Sequence, residues 1–158
     1  MKASSPELHL DEMSAGIIEA LQKDGRRSYS SIGTAVGLSE AAVRQRVQRM
    51  IETGVFEIVA VTDPLQLGFA RSAMVGVSVT GPLEPVADAL AEIDEVTYLV
   101  LTAGMWDVLA EVVCEDDEHL LRVVSERIRG IPGITGTETL VYLALHKQTY
   151  DEGVRLHL

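Results

Sequence analysis

Only one cysteine, Cys114, occurs in the 158 residues of the chain. A single thiol excludes an internal disulfide framework and a cysteine-based zinc site. Its place in an apolar-alternating run marks it as a small buried hydrophobe. Proline is sparse at five residues and aromatics make up 4%. No apolar run approaches the ~18 residues of a membrane-spanning helix, and the first residues lack the pattern of a secretory signal. The reading is a soluble chain with no membrane partner, and cytoplasm is the expected compartment. The four histidines, His9, His119, His146 and His157, are scattered without metal spacing. Neither a glycine-rich phosphate loop nor a Gly-x-Ser-x-Gly elbow is present. No metal, cofactor or catalytic residue is expected, and the chain does not read as an enzyme.

Basic residues are also few: 13 Lys and Arg stand against 24 Asp and Glu, a net charge of −11. The imbalance is not uniform. Residues 1–60 carry 7 basic and 8 acidic side chains, whereas residues 61–158 carry 6 and 16. Within 23–53 the sign reverses, with 6 basic against 3 acidic residues. Two modules with different partners are implied. The acidic second half disfavours nonspecific adhesion to nucleic acid and leaves a small basic footprint in the first.

What is present begins with a hydrophobic content of 47%, enough for a folded chain with a buried core. The length suits one ordinary domain or two small ones. Ser30 to Ile58 is the organising stretch. Ser30 and Ser31 are candidate N-caps for a short helix whose apolar face is Ile32, Ala35 and Val36. Gly37 stops it with a left-handed turn, Leu38 plugs the corner and Ser39 caps the next helix. From Glu40 to Thr53, Val43, Val47, Met50 and Ile51 form one apolar stripe. Ala41, Arg44, Gln45, Gln48 and Arg49 occupy the opposite arc, with Arg46 at the edge. Arginine pairs with guanine edges and glutamine with adenine, while a small alanine allows close approach. Ser39, Ala41, Arg44, Gln45, Arg46, Gln48 and Arg49 are therefore the candidate DNA-reading residues. A solvated helix with ordinary charges is the plain alternative, and the helix–turn–helix context argues against it.

Before this stretch, Met1–His9 has no period and reads as a frayed tail. Asp11 caps a helix from Glu12 to about Lys23, with Met13, Ile17, Ala20 and Leu21 facing inward; Gly16 weakens it by ~1 kcal/mol relative to alanine. Phe56, Ile58 and Val61 suggest a short strand leading to Asp63-Pro64. From Phe69 the period changes to 2. Strands are expected over Ala73–Val79, Val96–Thr102, Asp107–Cys114 and Ile134–His146. One helix starts at Pro82 and runs to Ile93, buried through Val86, Ala89, Leu90 and Ile93. The acidic run Glu115–Glu118 opens another, with Leu120, Leu121, Val124 and Ile128 on its core face. The order βαββαβ makes the fold α+β: a helix-turn-helix domain over 1–61, a linker over 62–68, and a ferredoxin-like antiparallel sheet domain over 69–158.

Leu10-Asp11, Ile17-Ile18, Gly25-Arg26, Val36-Gly37-Leu38-Ser39, Val43, Arg46-Val47, Gly54-Val55, Asp63 and Leu67-Gly68 resemble the N-terminal half of the Lrp/AsnC, or feast/famine, transcription regulators. The likeness continues through the second half, which corresponds to the family's RAM-type regulatory domain. The resemblance implies an N-terminal winged or plain helix-turn-helix on double-stranded DNA. It also implies dimer pairing through the 56–61 segment, octamers built from dimers, and a small-molecule effector, an amino acid or a derivative. The family usually has an acid where this chain has Ser14, and alanine where it has Gly33, at a close helix contact that glycine still fits.

Gly104-Met105-Trp106-Asp107 is similar to the Gly-x-aromatic-Asp turn that helps form the family's effector pocket between subunits. Glycine permits close approach, Asp107 can accept from an ammonium group, and Trp106 offers apolar or cation–π contact. A hairpin turn whose aspartate satisfies local amides explains the same residues. The family often has an acid at Met105. The family pocket also draws on the segment Ile134–Tyr142, which places Thr135, Thr137, Thr139, Leu140 and Tyr142 among the candidates; a solvent-facing threonine row is the plain reading. Two rivals remain. One is a metabolite-binding module without DNA affinity. The other is an AsnC-like, siroheme decarboxylase-like enzyme, suggested by His119 and His146 and opposed by the acidity of the second half.

Overall fold

The computed structural model describes residues 10–149, so the expectations for Met1–His9 and His157 lie outside the described residues. The chain divides into two compact units, one formed mainly by the residues up to Ala60 and the other by Val61–His146. Each is taken by itself.

The first unit holds α1 (Glu12–Lys23), α2 (Tyr29–Val36) and α3 (Glu40–Glu52). Asp11 caps α1 by accepting from the Ser14 amide, and Ser39 caps α3 by accepting from Ala42. The α2 cap is Ser28, whose hydroxyl accepts from the Ser31 amide, so the helix begins earlier than Ser30 and Ser31 suggest. Gly37 ends it at φ 76°, a conformation that glycine adopts without steric cost. Ile17, Ile32, Val43, Val47 and Met50 form the core, with Leu38 packed against it. Two expected core residues are outside it. Met13 is 43% exposed, its place taken by Ala15 and Ile18, and Ala35 is exposed while Gly33 is buried. A Cβ on Gly33 would lie 2.4 Å from the Leu38 carbonyl oxygen, so the turn into α3 needs glycine there rather than merely tolerating it. Gly16 is also a close approach, 2.9 Å from a Val36 methyl for an added Cβ.

The second unit starts with a 3₁₀ turn, Pro64–Leu67, capped by Asp63. No strand forms over 56–61; a ladder needs a partner, and the described residues provide none there. The sheet comprises β1 (Arg71–Val79), β2 (Val96–Leu101), β3 (Val108–Cys114) and β4 (Ile134–Val141), ordered β2-β3-β1-β4 and antiparallel throughout. It is the ferredoxin-like arrangement expected from βαββαβ. β4 stops at Val141, short of His146: the Tyr142 amide makes a last bond to the Ser72 carbonyl, and β1, which starts at Arg71, offers no more backbone to continue the ladder.

α4 (Glu84–Ala91) begins at Glu84 with Pro85 in its first turn, two residues after Pro82. α5 (Asp117–Arg122), capped by Asp116, continues as a π-helical turn over Val123–Ile128. The wider turn shifts the phase of the buried face. Val123 is thereby buried with Leu120 and Ile128, whereas Leu121 is 66% exposed. Val75, Val77, Val108, Val112 and Cys114 pack against Val86, Leu90 and Ile93 as one core. The other sheet face is open to solvent and carries Tyr98, Leu140 and Tyr142.

Candidate nucleic-acid interface and effector turn

The outward arc of α3 is set by its buried stripe. With Val43, Val47 and Met50 in the core, Ala41, Arg44, Gln45, Gln48 and Arg49 are all exposed on the opposite side. Ser39 stands exposed at the helix start, occupied as the cap. Arg44 pairs with Glu40 at 2.9 Å, and its guanidinium lies 5.2 Å from the ring centre of Tyr29 on α2. Gln48 donates to Glu52 at 2.8 Å. Among the described residues no side-chain bond holds the Arg49 guanidinium. Exposed i, i+4 pairs contribute only about 0.3–0.5 kcal/mol, so Arg44 and Gln48 can leave them for a ligand at little cost.

Arg46 is placed differently. It is half-buried and donates to both Asp11 oxygens, at 2.9 and 2.8 Å, and to the Ser14 hydroxyl at 3.0 Å. Hydrogen bonds from Ser14, side chain and backbone, and then Arg46 hold the Asp11 carboxyl below its ordinary range. Arg46 thus ties α3 to the start of α1. Ser14, where an acid is usual, accepts one of its protons.

In the second unit Gly104–Asp107 joins β2 to β3. Met105 is 82% exposed and Gly104 is in open space. Trp106 lies over Gly76 of β1, where an added Cβ would approach the ring to 2.7 Å. Asp107 Oδ2 accepts from the Val79 amide at 2.8 Å, while the Asp107 amide donates to Val77. The turn is locked to β1 by these bonds, and the second carboxylate oxygen makes none among the described residues. Thr137 and Thr139 pair across from Val77 and Val75 and so share the helix-covered face. Thr135 is exposed at the register shift beside Val79 and donates to the Ser78 carbonyl. Leu140 and Tyr142 lie on the open face with Trp106, not with the threonines. The Tyr142 hydroxyl donates to Glu111 Oε1 at 2.9 Å.

The sequence profile of the AsnC-type helix-turn-helix domain matches residues 10–51, and that of the Lrp/AsnC ligand binding domain matches residues 72–152. An uncharacterised HTH-type transcriptional regulator of Pyrococcus abyssi is 33% identical over 94% of this chain and 95% of its own. The chain belongs to the Lrp/AsnC family. It is a helix-turn-helix transcriptional regulator. The structure of Escherichia coli AsnC superposes with a TM-score of 0.78 at 26% identity, covering 89% of this chain and 97% of that one. A Neisseria meningitidis transcriptional regulator solved as an L-Met complex has the same fold, with a TM-score of 0.80 at 20% identity over 93% and 97% of the two chains.

Within this Lrp/AsnC chain, two contacts lay beyond sequence reasoning. Tyr29 stacks with Arg44 across fifteen positions, a pairing with no periodic signal. Ser28 precedes the first apolar residue of α2 less directly than Ser30 does, yet it has the capping geometry. The histidines behind the enzymatic rival are accounted for locally: His119 bonds Glu95, and His146 is exposed. Among the described residues no three His, Cys, Asp or Glu side chains converge as a metal site, and no helix is long and apolar enough to cross a membrane.

Proposed function

We propose that α3 enters the major groove of double-stranded DNA and reads it with Arg44, Gln45, Gln48 and Arg49, with Ala41 at the point of closest approach. The observation that carries this is the exposed arc of amide, guanidinium and small side chains opposite a fully buried stripe. Ser39 caps the reading helix and Arg46 positions it. A two-fold dimer would place two such helices in successive grooves, ~34 Å apart, on a pseudo-palindromic operator. The open sheet face with Tyr98, Leu140 and Tyr142 is suited to subunit pairing, and dimers assemble into an octamer in the cytoplasm.

The effector is an amino acid held at the Gly104–Asp107 turn. The oxygen of Asp107 not bonded to Val79 accepts the ammonium group, and Trp106 and exposed Met105 offer apolar surface. With methionine in place of an acid, the turn suits an apolar amino acid, and the L-Met complex of the Neisseria regulator supports that choice. Footprinting on the chain's own upstream region, with each amino acid in turn, tests the proposal. Two protected half-sites about one helical turn apart, altered by one amino acid, are expected. Protection without half-sites, or indifference to every amino acid, would contradict the dimer or the effector respectively.

A further inference from the structure

Apart from the α3 arc and the Gly104–Asp107 turn, the second unit contains a cavity of about 400 Å³. That volume falls within the ~300–1,000 Å³ of small-molecule sites. Leu67 and Phe69, from the segment that comes after Ala60 in the chain, form one wall, and Val113 of β3 contributes to the apolar lining. Asp94, Glu95 and His119 add the polar part. Leu67 is 60% exposed on its 3₁₀ turn, so an occupant would bury apolar surface that solvent now covers.

The charge of the lining selects the occupant. The Glu115 amide donates to His119 Nδ1 at 3.3 Å, which leaves the ring proton on Nε2, 3.0 Å from Glu95 Oε1. Both ring nitrogens of His119 are therefore engaged within the protein. The other Glu95 oxygen accepts from Arg127, which is not part of the lining. Asp94 is exposed, and its carboxylate makes no hydrogen bond or ion pair among the described residues. No lysine or arginine lines the cavity. A ligand carboxylate would face the unpaired Asp94 carboxylate with no lysine or arginine in the lining to meet it, whereas an ammonium would find Asp94 ready as an acceptor.

We propose that this cavity binds an apolar primary amine, its ammonium on Asp94 and its hydrocarbon body against Leu67, Phe69 and Val113. The site differs from the effector turn in both place and chemistry, since it rejects the carboxylate every amino acid carries. Its occupant would hold the segment leading into the second unit, which gives the regulator an input besides its amino acid. The proposal does not depend on DNA reading and can fail or succeed alone.

Calorimetric titration of the full chain with 4-phenylbutylamine, 4-phenylbutanol and 4-phenylbutyrate tests it. The amine should bind best, the alcohol about threefold more weakly, as an exposed ion pair implies, and the carboxylate least. Asp94→Asn should bring the amine to the level of the alcohol and leave the alcohol unchanged. Leu67→Trp, which fills the mouth from an exposed position, should weaken both. Carboxylate binding as tight as the amine, amine affinity unchanged by Asp94→Asn, or no binding of the amine at millimolar concentration would overturn the proposal. If Leu67→Trp alters the circular dichroism spectrum, the Asp94→Asn comparison decides.

Discussion

Arg46 and Arg49 sit three positions apart on α3, and their surroundings assign them separate tasks. Arg46 donates to Asp11 and Ser14, while among the described residues no side-chain bond holds the Arg49 guanidinium on the outward arc. Arg46→Ala should therefore lower stability by about 1 kcal/mol, a figure kept small because both partners of the pair are partly exposed. The depressed carboxyl of Asp11 gives this effect a pH window. Its contribution is present above the ordinary value of 3.8 and is lost as pH falls through the lower folded value. Urea denaturation should show the gap between wild type and Arg46→Ala closing below pH ~4. Arg49→Ala should leave stability within about 0.5 kcal/mol. It should instead weaken DNA binding by about 1–3 kcal/mol if it meets a base edge, or lower the salt slope by about 1 if it meets a phosphate. Tyr142 offers a spectroscopic check on the sheet face. Burial, reinforced by the bond to Glu111, pushes its phenol up to about 12. Its raised value favours the folded state below the ordinary 10.0, and that stability is lost as pH rises through the folded value. Absorbance titration should find one of the four tyrosines ionising near pH 12.

Among the elements, two close glycine contacts, one in each unit, can be tested in parallel. Gly33→Ala sets a Cβ against the rigid Leu38 carbonyl, and Gly76→Ala sets one against the Trp106 ring. Overpacking of this kind typically costs about 1–3 kcal/mol. Both variants should melt earlier than wild type, and only Gly76→Ala should shift the emission of Trp106, the chain's single tryptophan. Neither contact was legible in the sequence, where Gly33 read as merely tolerated and nothing marked Gly76. Order and type of the main elements were readable from periods of 3.6 and 2, from Gly37 and Ser39, and from the acids capping α5. The missed features depended on neighbours distant in sequence. The absent 56–61 strand and the early end of β4 reflect which backbone lies alongside, and the π turn that buries Val123 obeys no residue period. At the site, the α3 arc was readable because one helix defines it. The partner of Arg46, the stacking of Tyr29 on Arg44, and the split of threonines from Leu140 and Tyr142 across the sheet were set by packing between elements.

For the whole molecule, charge distribution and function agree. A net −10 on residues 61–158 leaves only the first unit with a basic surface to offer DNA. Attraction to DNA should thus be modest and strongly salt-dependent, with specificity resting on α3. The measurement that tests this most directly is fluorescence anisotropy of the chain's own upstream DNA at stated salt, comparing wild type with the Arg44→Ala, Arg49→Ala double variant. The expected result is a specific complex for wild type, and for the double variant an affinity at least about tenfold weaker with stability lowered only by the loss of the Arg44 contacts to Glu40 and Tyr29, about 1 kcal/mol. Equal affinity of the two proteins, or no wild-type complex at low salt, would contradict a regulator that reads DNA through the outward arc of α3.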